Sequence, residues 1–424
     1  MGANQSSLLF AVKSSWALLL GFGILMLGDG LQASLLAIRA DQEGFTATMT
    51  GLMMSAFYIG FLCGSKLTPR IMTHVGHVRV FAALAAIASA AILVHALYVD
   101  IYSWSGLRLI SGFCFAGLYV VAESWLNDRA TNESRGKVLS LYMVVTYIGV
   151  GAGQLFLNLA NPLGHELFIL VSVLISLAVL PLLLSAGSPP RFDVAASITL
   201  RQLYNVSPLG IVGIFNVGLV TAAFFALGPI YGQRLGFTIR EISYFMTAAV
   251  IGTVLFQWPI GSLSDRFDRR RTLTIITFLA ALAAVVCAIL AQESLVIALV
   301  LVGMFCGLTL PLYSVCIAYT NDHLHADQMI AASGTLVLVG GLGAVIGPIL
   351  IAGLMDQFGN AFFFYGMGGA LFVTVMFAIY RMTRRSALDL QQQGAITPTA
   401  VHASSSAMEG MQQVAHSEAI SSDE

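Results

Sequence analysis

Residues 261–272 read GSLSDRFDRRRT, and six of the seven positions from Asp265 to Arg271 are charged. The rest of the chain makes that density stand out: only 10% of its 424 residues carry charge, 58% are apolar, and the mean hydropathy is +0.85. A soluble domain is about a quarter charged and roughly 45–50% apolar. A chain this apolar would aggregate through exposed patches in water, so it belongs in a bilayer. The charged stretch then has to connect membrane segments.

About 20 mostly apolar residues in a helix cross a hydrocarbon core. Breaks at charged, Gly/Pro or Asn clusters divide the chain into twelve runs, predicted at 15–38, 48–68, 80–98, 104–126, 137–160, 166–185, 208–231, 241–260, 272–291, 294–319, 329–353 and 361–381. The run after Lys13 and Trp16 is long enough to span and lacks a small-residue cleavage site, so it reads as the first membrane helix and not as a signal peptide. A polar break at 186–207 separates six runs from six. The expected organisation is a helical bundle at 1–185, a cytoplasmic linker at 186–207, a second bundle at 208–385 and a disordered cytoplasmic tail at 386–424, rich in Gln, Ser, Ala and Thr.

Lys and Arg orient such a chain. With the N-terminus inside, sixteen of them fall on the cytoplasmic side, while Arg39, Arg234 and Arg240 fall outside and Arg108 lies within the fourth span. Both termini are therefore expected in the cytoplasm. The five cysteines all sit in apolar runs without ligand-like spacing, which argues against a disulfide framework or a zinc site.

The chain also repeats. Gly-Phe-Thr occurs at Gly44–Thr46 and again at Gly236–Thr238, 192 residues on, each time just before a predicted helix. The same offset, with no gap, pairs Gly21 with Gly213, Gly60 with Gly252, Gly149 with Gly341, and Gly151 with Gly343. Two six-helix halves in parallel repeat are an arrangement of secondary transporters. Moved back by 192, the charged stretch falls on residues 69–80, between the second and third helices of the first half.

Here the chain resembles the major facilitator superfamily. The family's loop signature, a Gly followed by Asp-Arg and a basic cluster, is matched by Gly261, Asp265, Arg266, Arg269, Arg270 and Arg271, with Asp268 in place of the second glycine. The first-half copy keeps Gly76, His77 and Arg79 but has Thr73 and His74 where Asp-Arg is expected. Arg108 to Gly112 (RLISG) is similar to the family's intramembrane Arg-x-x-x-Gly motif. Ala122 to Asn127 (AESWLN), followed by Arg135-Gly136, resembles a bacterial subgroup of the family, the YcaD-like transporters. The resemblance implies an all-α membrane fold of two pseudo-symmetric six-helix bundles. It also implies a cytoplasmic gate in which Asp265 meets the start of the fifth helix near Ser134 to Gly136 and the arginines hold Asp322, contacts expected only when the halves close on that side. The plainer reading of the arginines is that they set topology and touch lipid phosphates.

Ionisable residues within spans point to function, because an unpaired charge in hydrocarbon costs at least about 2.5–3.5 kcal/mol. Asp29, Arg108 and Glu123 are the candidates. On a wheel of 3.6 residues per turn, Arg108, Gly112, Phe115 and Tyr119 lie within about 40° of one line, with Glu123 about 60° off it. Burial disfavours a charged carboxylate and a nearby cation favours it. A partner that comes and goes would thus let Asp29 take up and release a proton, with Arg108 as that partner. The bland alternative is a fixed Asp29–Arg108 pair or a wet Asp29. For Glu123, a structural bond to Arg70, Arg79 or Lys137 outweighs a substrate contact. Gln32, Gln154, Asn158, Asn216, Gln257 and Trp258 are polar cavity candidates, each as readily a link between helices, worth about 0.6 kcal/mol on average. Phenylalanine and methionine read as ordinary packing.

Gly149-Val-Gly-Ala-Gly153 and Gly343 to Pro348 place small residues four apart in the fifth and eleventh helices, which permits close crossings. In the family the fifth-helix glycine motif with a following proline is linked to antiporters, and here Gln154 replaces that proline. Gly60 to Lys66 has the wrong spacing for a phosphate-binding loop, and no HExxH or GxSxG occurs. The expectation is a non-enzymatic, cofactor-free secondary transporter in a bacterial inner membrane. It would act as a monomer in contact with lipid and move a small organic solute by alternating access. Nucleic acid is not expected as a partner. Proton coupling leads as the mechanism, with antiport and efflux slightly favoured. A metabolite symporter or uniporter is the runner-up, ahead of a membrane receptor or embedded enzyme.

Overall fold

The Gly-Phe-Thr tripeptide turns out to be a helix-starting device, used twice. Gly44 and Gly236 hold φ of +83° and +84° in the computed structural model, a backbone that glycine adopts without strain. Two residues on, Thr46 and Thr238 cap the next helix: the Thr46 hydroxyl accepts from the Met49 N–H, and Thr238 forms a capping box with Glu241. The intervening phenylalanines anchor the turns, Phe45 against Trp104 and Phe237 against Phe245.

The structure describes residues 2–129, 132–184, 198–324, 326–384 and 399. Its first half runs α1 (Gly2–Gln42), α2 (Ala47–Val75), α3 (His77–Leu97), α4 (Ile101–Arg129), α5 (Asn132–Leu155), α6 (Glu166–Leu177) and α7 (Leu180–Leu184). After α8 (Leu200–Val206) come α9 (Pro208–Arg234), α10 (Ile239–Arg266), α11 (Arg269–Leu290), α12 (Leu295–Thr309), α13 (Leu312–Asn321), α14 (Ala326–Phe358) and α15 (Phe362–Met382). Among the described residues, twelve spans are long and apolar enough to cross a membrane, with α6 and α7 forming one and α12 and α13 another. Pro311, which has no N–H to donate, stands at the break between α12 and α13.

Packing repeats between the halves. α1 packs on α5 as α9 does on α14, α2 on α4 as α10 on α12, and α3 on α6 as α11 on α15. Glycine contacts fix the register. A side chain at Gly60 would collide with the Leu109 carbonyl of α4, and one at Gly252 with the Gly303 carbonyl of α12. Gly149 lies against Gly23 and Met26 of α1, and Gly343 against Phe215 and Leu219 of α9. The offset is therefore 192 for the first and second helices (Gly23 with Phe215, Gly60 with Gly252) and 194 for the fourth and fifth (Leu109 with Gly303, Gly149 with Gly343). This corrects the gap-free pairing of Gly149 with Gly341 and Gly151 with Gly343. The slip arises after the third helix: α3 ends at Leu97 and α4 starts at Ile101, whereas α11 ends at Leu290 and α12 starts at Leu295.

The expected linker at 186–207 ends in structure. Thr199 caps α8 through a capping box with Gln202, and the Ile198 N–H donates to the Ala331 carbonyl of α14 at 3.0 Å. Of the expected tail, Thr399 alone lies among the described residues. It is 3% exposed, and its N–H and carbonyl both bond the Ser314 hydroxyl of α13, at 2.8 and 3.1 Å.

Candidate functional site

Between the halves lies a cavity that brings Asp29 of α1, Arg108 and Tyr119 of α4, and Gln154 of α5 together. Local packing aims Asp29 there. A side chain at Gly30 would strike the Val150 carbonyl of α5, and Gly28 rests on Leu174 and Ile175 of α6, so the helix is held close on both flanks. Gln154 locks α1 to α5: its amide donates to the Gly30 carbonyl at 2.8 Å and its oxygen accepts from the Ser34 hydroxyl at 2.5 Å. That double bridge occupies the place of the absent proline.

Arg108 is 5% exposed and lies over the Phe57 ring, 4.2 Å from its centroid. The two charges face the same cavity and interact electrostatically, yet no ion pair within 4.0 Å joins them. The fixed Asp29–Arg108 pair is therefore not what this conformation shows. Aromatic residues make up half of the remaining first-half wall: Phe57, Tyr58 and Phe61 of α2, with Tyr147 of α5. Among the described residues, the second half contributes Thr221, Phe225, Val250, Thr253 and Leu310, none of them charged. Phe57, Phe61 and Phe225 thus do more than the ordinary packing expected of phenylalanine. Thr221 was legible only through the repeat, since it stands 192 residues after Asp29.

Other cavity candidates lie off the cavity wall, several of them in the helix links that the sequence left open as the alternative. Glu123 is fully buried and accepts from the Tyr142 hydroxyl at 2.8 Å, within the contact of α4 with α5 and away from the cavity wall. Asn216 donates to Thr374 at 2.9 Å, tying α9 to α15, and Gln257 donates to Ser314 at 3.3 Å, tying α10 to α13. Asn158 donates to Ser243 at 2.8 Å, a link between halves at the arginine-poor side. Gln32 is 1% exposed but does not line the cavity. Trp258 is 78% exposed, on the stripe of α10 that carries Ile251 and Leu255, which is the face a helix turns to lipid.

The charged loop is built around Arg269, which is 1% exposed. Its guanidinium donates to both oxygens of Asp322, at 2.6 and 2.7 Å, to Asp265 at 3.0 Å and to the Ser264 hydroxyl at 3.2 Å. Asp268 caps α11 by accepting from the N–H groups of Arg270 and Arg271, which explains an acid where the family has glycine. Arg266 and Arg271 are exposed, while Gly261 is buried in α10. The Arg269–Asp322 pair lies within the second half, so it does not wait for the halves to close. Of the residues expected to receive Asp265, Ser134 and Gly136 lie outside those whose side chains are described. In the first half His77 stands where Arg269 stands in the second, 3.3 Å from the Ser124 hydroxyl.

The sequence reading missed a set of contacts between the halves on the arginine-poor side. The Asp356 carboxylate of α14 accepts from the N–H groups of Thr48 and Ala47 at the start of α2, at 2.7 and 3.3 Å. Arg234 of α9 lies 3.3 Å from Asp356 and 4.0 Å from Asp41 of α1. Nearby, Gly51 of α2 meets the Pro348 carbonyl of α14.

Two repeated bundles, twelve spans and a shared cavity containing ionisable groups define a membrane transport protein. The chain belongs to the Major Facilitator Superfamily, whose sequence pattern matches residues 18–241 and 209–407. It is 28% identical over 365 residues to the uncharacterised MFS-type transporter YcaD of Escherichia coli (strain SE11), covering 85% of this chain and 93% of that one, and the YcaD of Shigella sonnei (strain Ss046) matches equally. Among solved structures it is similar to the nucleoside transporter NupG (TM-score 0.69, 14% identity, 88% of this chain and 99% of that one). It is also similar to a D-xylose–proton symporter (TM-score 0.67, 14% identity, 88% and 97%). At such identity the solved structures share the fold alone. The protein is a multi-pass membrane transporter and not an enzyme.

Proposed function

We propose that this protein moves a small organic solute by alternating access and couples that movement to protons at Asp29. The observation that carries the reading is one cavity, walled by both halves, in which Asp29 faces Arg108 without an ion pair. A carboxylate whose cation is near but not engaged changes partners when the halves or the solute move, and that is the requirement for proton coupling. The contacts from Asp356 and Arg234 close the arginine-poor side, and alternating access requires them to break in the other half of the cycle.

The excess of Lys and Arg on one side supports an inner-membrane orientation with both termini cytoplasmic. The protein acts as a monomer, each copy holding its own cavity, with its basic loops against lipid phosphates. Coupled movement is reversible, so net direction follows the solute and proton gradients. The export expected from sequence has no separate support in the site.

The test uses purified protein in proteoliposomes carrying an internal pH dye, screened for solute-induced proton movement with wild type and Asp29→Asn. Solute-driven proton flux in the wild type and its loss in the variant are expected. If D29N moves protons with solute as well as wild type does, the coupling assignment is wrong.

A further inference from the structure

Arg108 is a buried cation that the protein does not satisfy. Its Nε has no hydrogen-bond partner, and it contacts the Phe57 ring face, which attracts a cation but offers no lone pair. A guanidinium carries five N–H donors in a planar fork and keeps its charge, so it is shaped for a carboxylate.

We infer that the cavity binds a small carboxylate with an apolar or aromatic body, that Arg108 holds its carboxylate, and that Asp29 takes up a proton as it binds. The inference rests on the transport reading above and names its substrate class. Three observations carry it.

The rest of the wall suits an apolar body. Phe57, Phe61, Phe225, Val250 and Leu310 present rings and aliphatic groups. The wall's neutral polar groups are mostly committed already. The Thr146 hydroxyl donates to the Tyr142 carbonyl and Thr253 to the Ala249 carbonyl, Tyr119 donates to Met26, and both ends of the Gln154 amide are bonded. Thr221 keeps an unpartnered, buried hydroxyl. A polyhydroxylated solute would lose more hydrogen bonds to water than this wall returns.

Charge weighs against the opposite class, because a cationic solute would have Asp29 alone as its counter-ion. A cationic solute would add a second positive charge beside Arg108 and leave its donors unmet. A carboxylate meets them.

Charge also dictates the coupling. With a carboxylate on Arg108, a charged Asp29 would be a second anion sharing one cation in a low-dielectric cavity. The solute carboxylate sits in the fork and stays ionised, while Asp29 takes a proton from bulk water. One proton then travels with one carboxylate, and no net charge is added to the cavity. The site thus favours cotransport over exchange.

The experiment is calorimetric titration of the purified full-length protein in two buffers of different ionisation enthalpy, which counts protons taken up on binding. The probes are phenylacetate, benzoate and hexanoate, with phenylacetamide and phenethylammonium as matched neutral and cationic analogues. Phenylacetate should bind at least about tenfold more tightly than either analogue, with uptake of about one proton in the wild type. Asp29→Asn should still bind it without proton uptake, and Arg108→Gln should lose the preference for the acid. Arg108→Lys keeps the charge without the fork and should fall between; it decides the matter if R108Q does not fold. The inference is overturned if none of the three acids binds more tightly than its amide, if R108K matches wild type, or if binding releases a proton. Tighter phenethylammonium binding with Asp29-dependent proton release would remove the carboxylate assignment and leave proton-coupled transport standing. Asp29-independent behaviour with every probe would remove both.

Discussion

Asp356 and Thr48 belong to opposite halves of the molecule, and the Asp356 carboxylate accepts the Thr48 backbone N–H at 2.7 Å. The start of α2 is thereby capped by a side chain it can keep only while the halves stay together on the arginine-poor side. A carboxylate at a helix N-terminus gains from the helix dipole as well as from the hydrogen bonds. Closure satisfies the Ala47 and Thr48 N–H groups, beside the Met49 N–H that Thr46 holds within its own half.

Replacing Asp356 with alanine removes both backbone contacts and the Arg234 partner. Asp356 is partly exposed, so solvent screening holds the loss to about 1–2 kcal/mol. The ratio of closed to open forms on this side should fall roughly five- to thirtyfold. Spin labels at Gln42 and Gln357, on the two rims, should show a larger long-distance population in D356A. An unchanged distance distribution would show that the contact does not hold the gate.

The Arg269–Asp322 pair should behave differently, because it lies within one half. Both side chains are almost fully buried, at 1% and 4% exposure. Removing one partner of such a pair costs about 3–5 kcal/mol. Arg269→Ala should therefore lower the midpoint of thermal unfolding, with the rim distances unchanged. A shift in those distances with normal unfolding would restore the latch between halves that the loop signature implies.

The contrast shows what could be read from the chain. Twelve spans, two halves and the start of each second helix follow from local signals: apolar run length, Gly-Phe-Thr, and the spacing of glycines. Asp29 and Arg108 were visible because a charge in an apolar run has to be accounted for. Asp356 was not, because it lies at the polar end of a span, where an acid needs no explanation until its partner on α2 is seen. Trp258 and Asn216 were left open between cavity and packing for a related reason. A polar or aromatic residue in a span carries no mark of which face it occupies, and packing put one toward lipid and the other on Thr374. The two-residue slip hid the correspondence of Gly149 with Gly343, since a constant offset also finds glycines by chance in a glycine-rich chain.

Thr221 stands in the second half where Asp29 stands in the first, and its buried hydroxyl faces the same cavity without a partner. If it meets the solute, Thr221→Val should reduce kcat/KM by about three- to tenfold, the value of one neutral hydrogen bond. Most of that loss should appear in KM, while Thr221→Ser should stay near wild type. Equal transport by T221V would assign Thr221 to packing alone.

Glu123 provides the complementary case, an intramembrane acid that the geometry removes from the transport path. Tyr142 donates to it at 2.8 Å, and neither residue lines the cavity. The bond ties α4 to α5. Glu123→Gln retains an acceptor for the Tyr142 hydroxyl and should leave the pH profile of transport unchanged. Tyr142→Phe removes one buried hydrogen bond to the carboxylate and should destabilise the fold by about 0.5–1.5 kcal/mol, read as a lower unfolding midpoint. If E123Q instead abolished the pH dependence while unfolding normally, the proton would have to pass through Glu123, and Asp29 would lose its place as the coupling site.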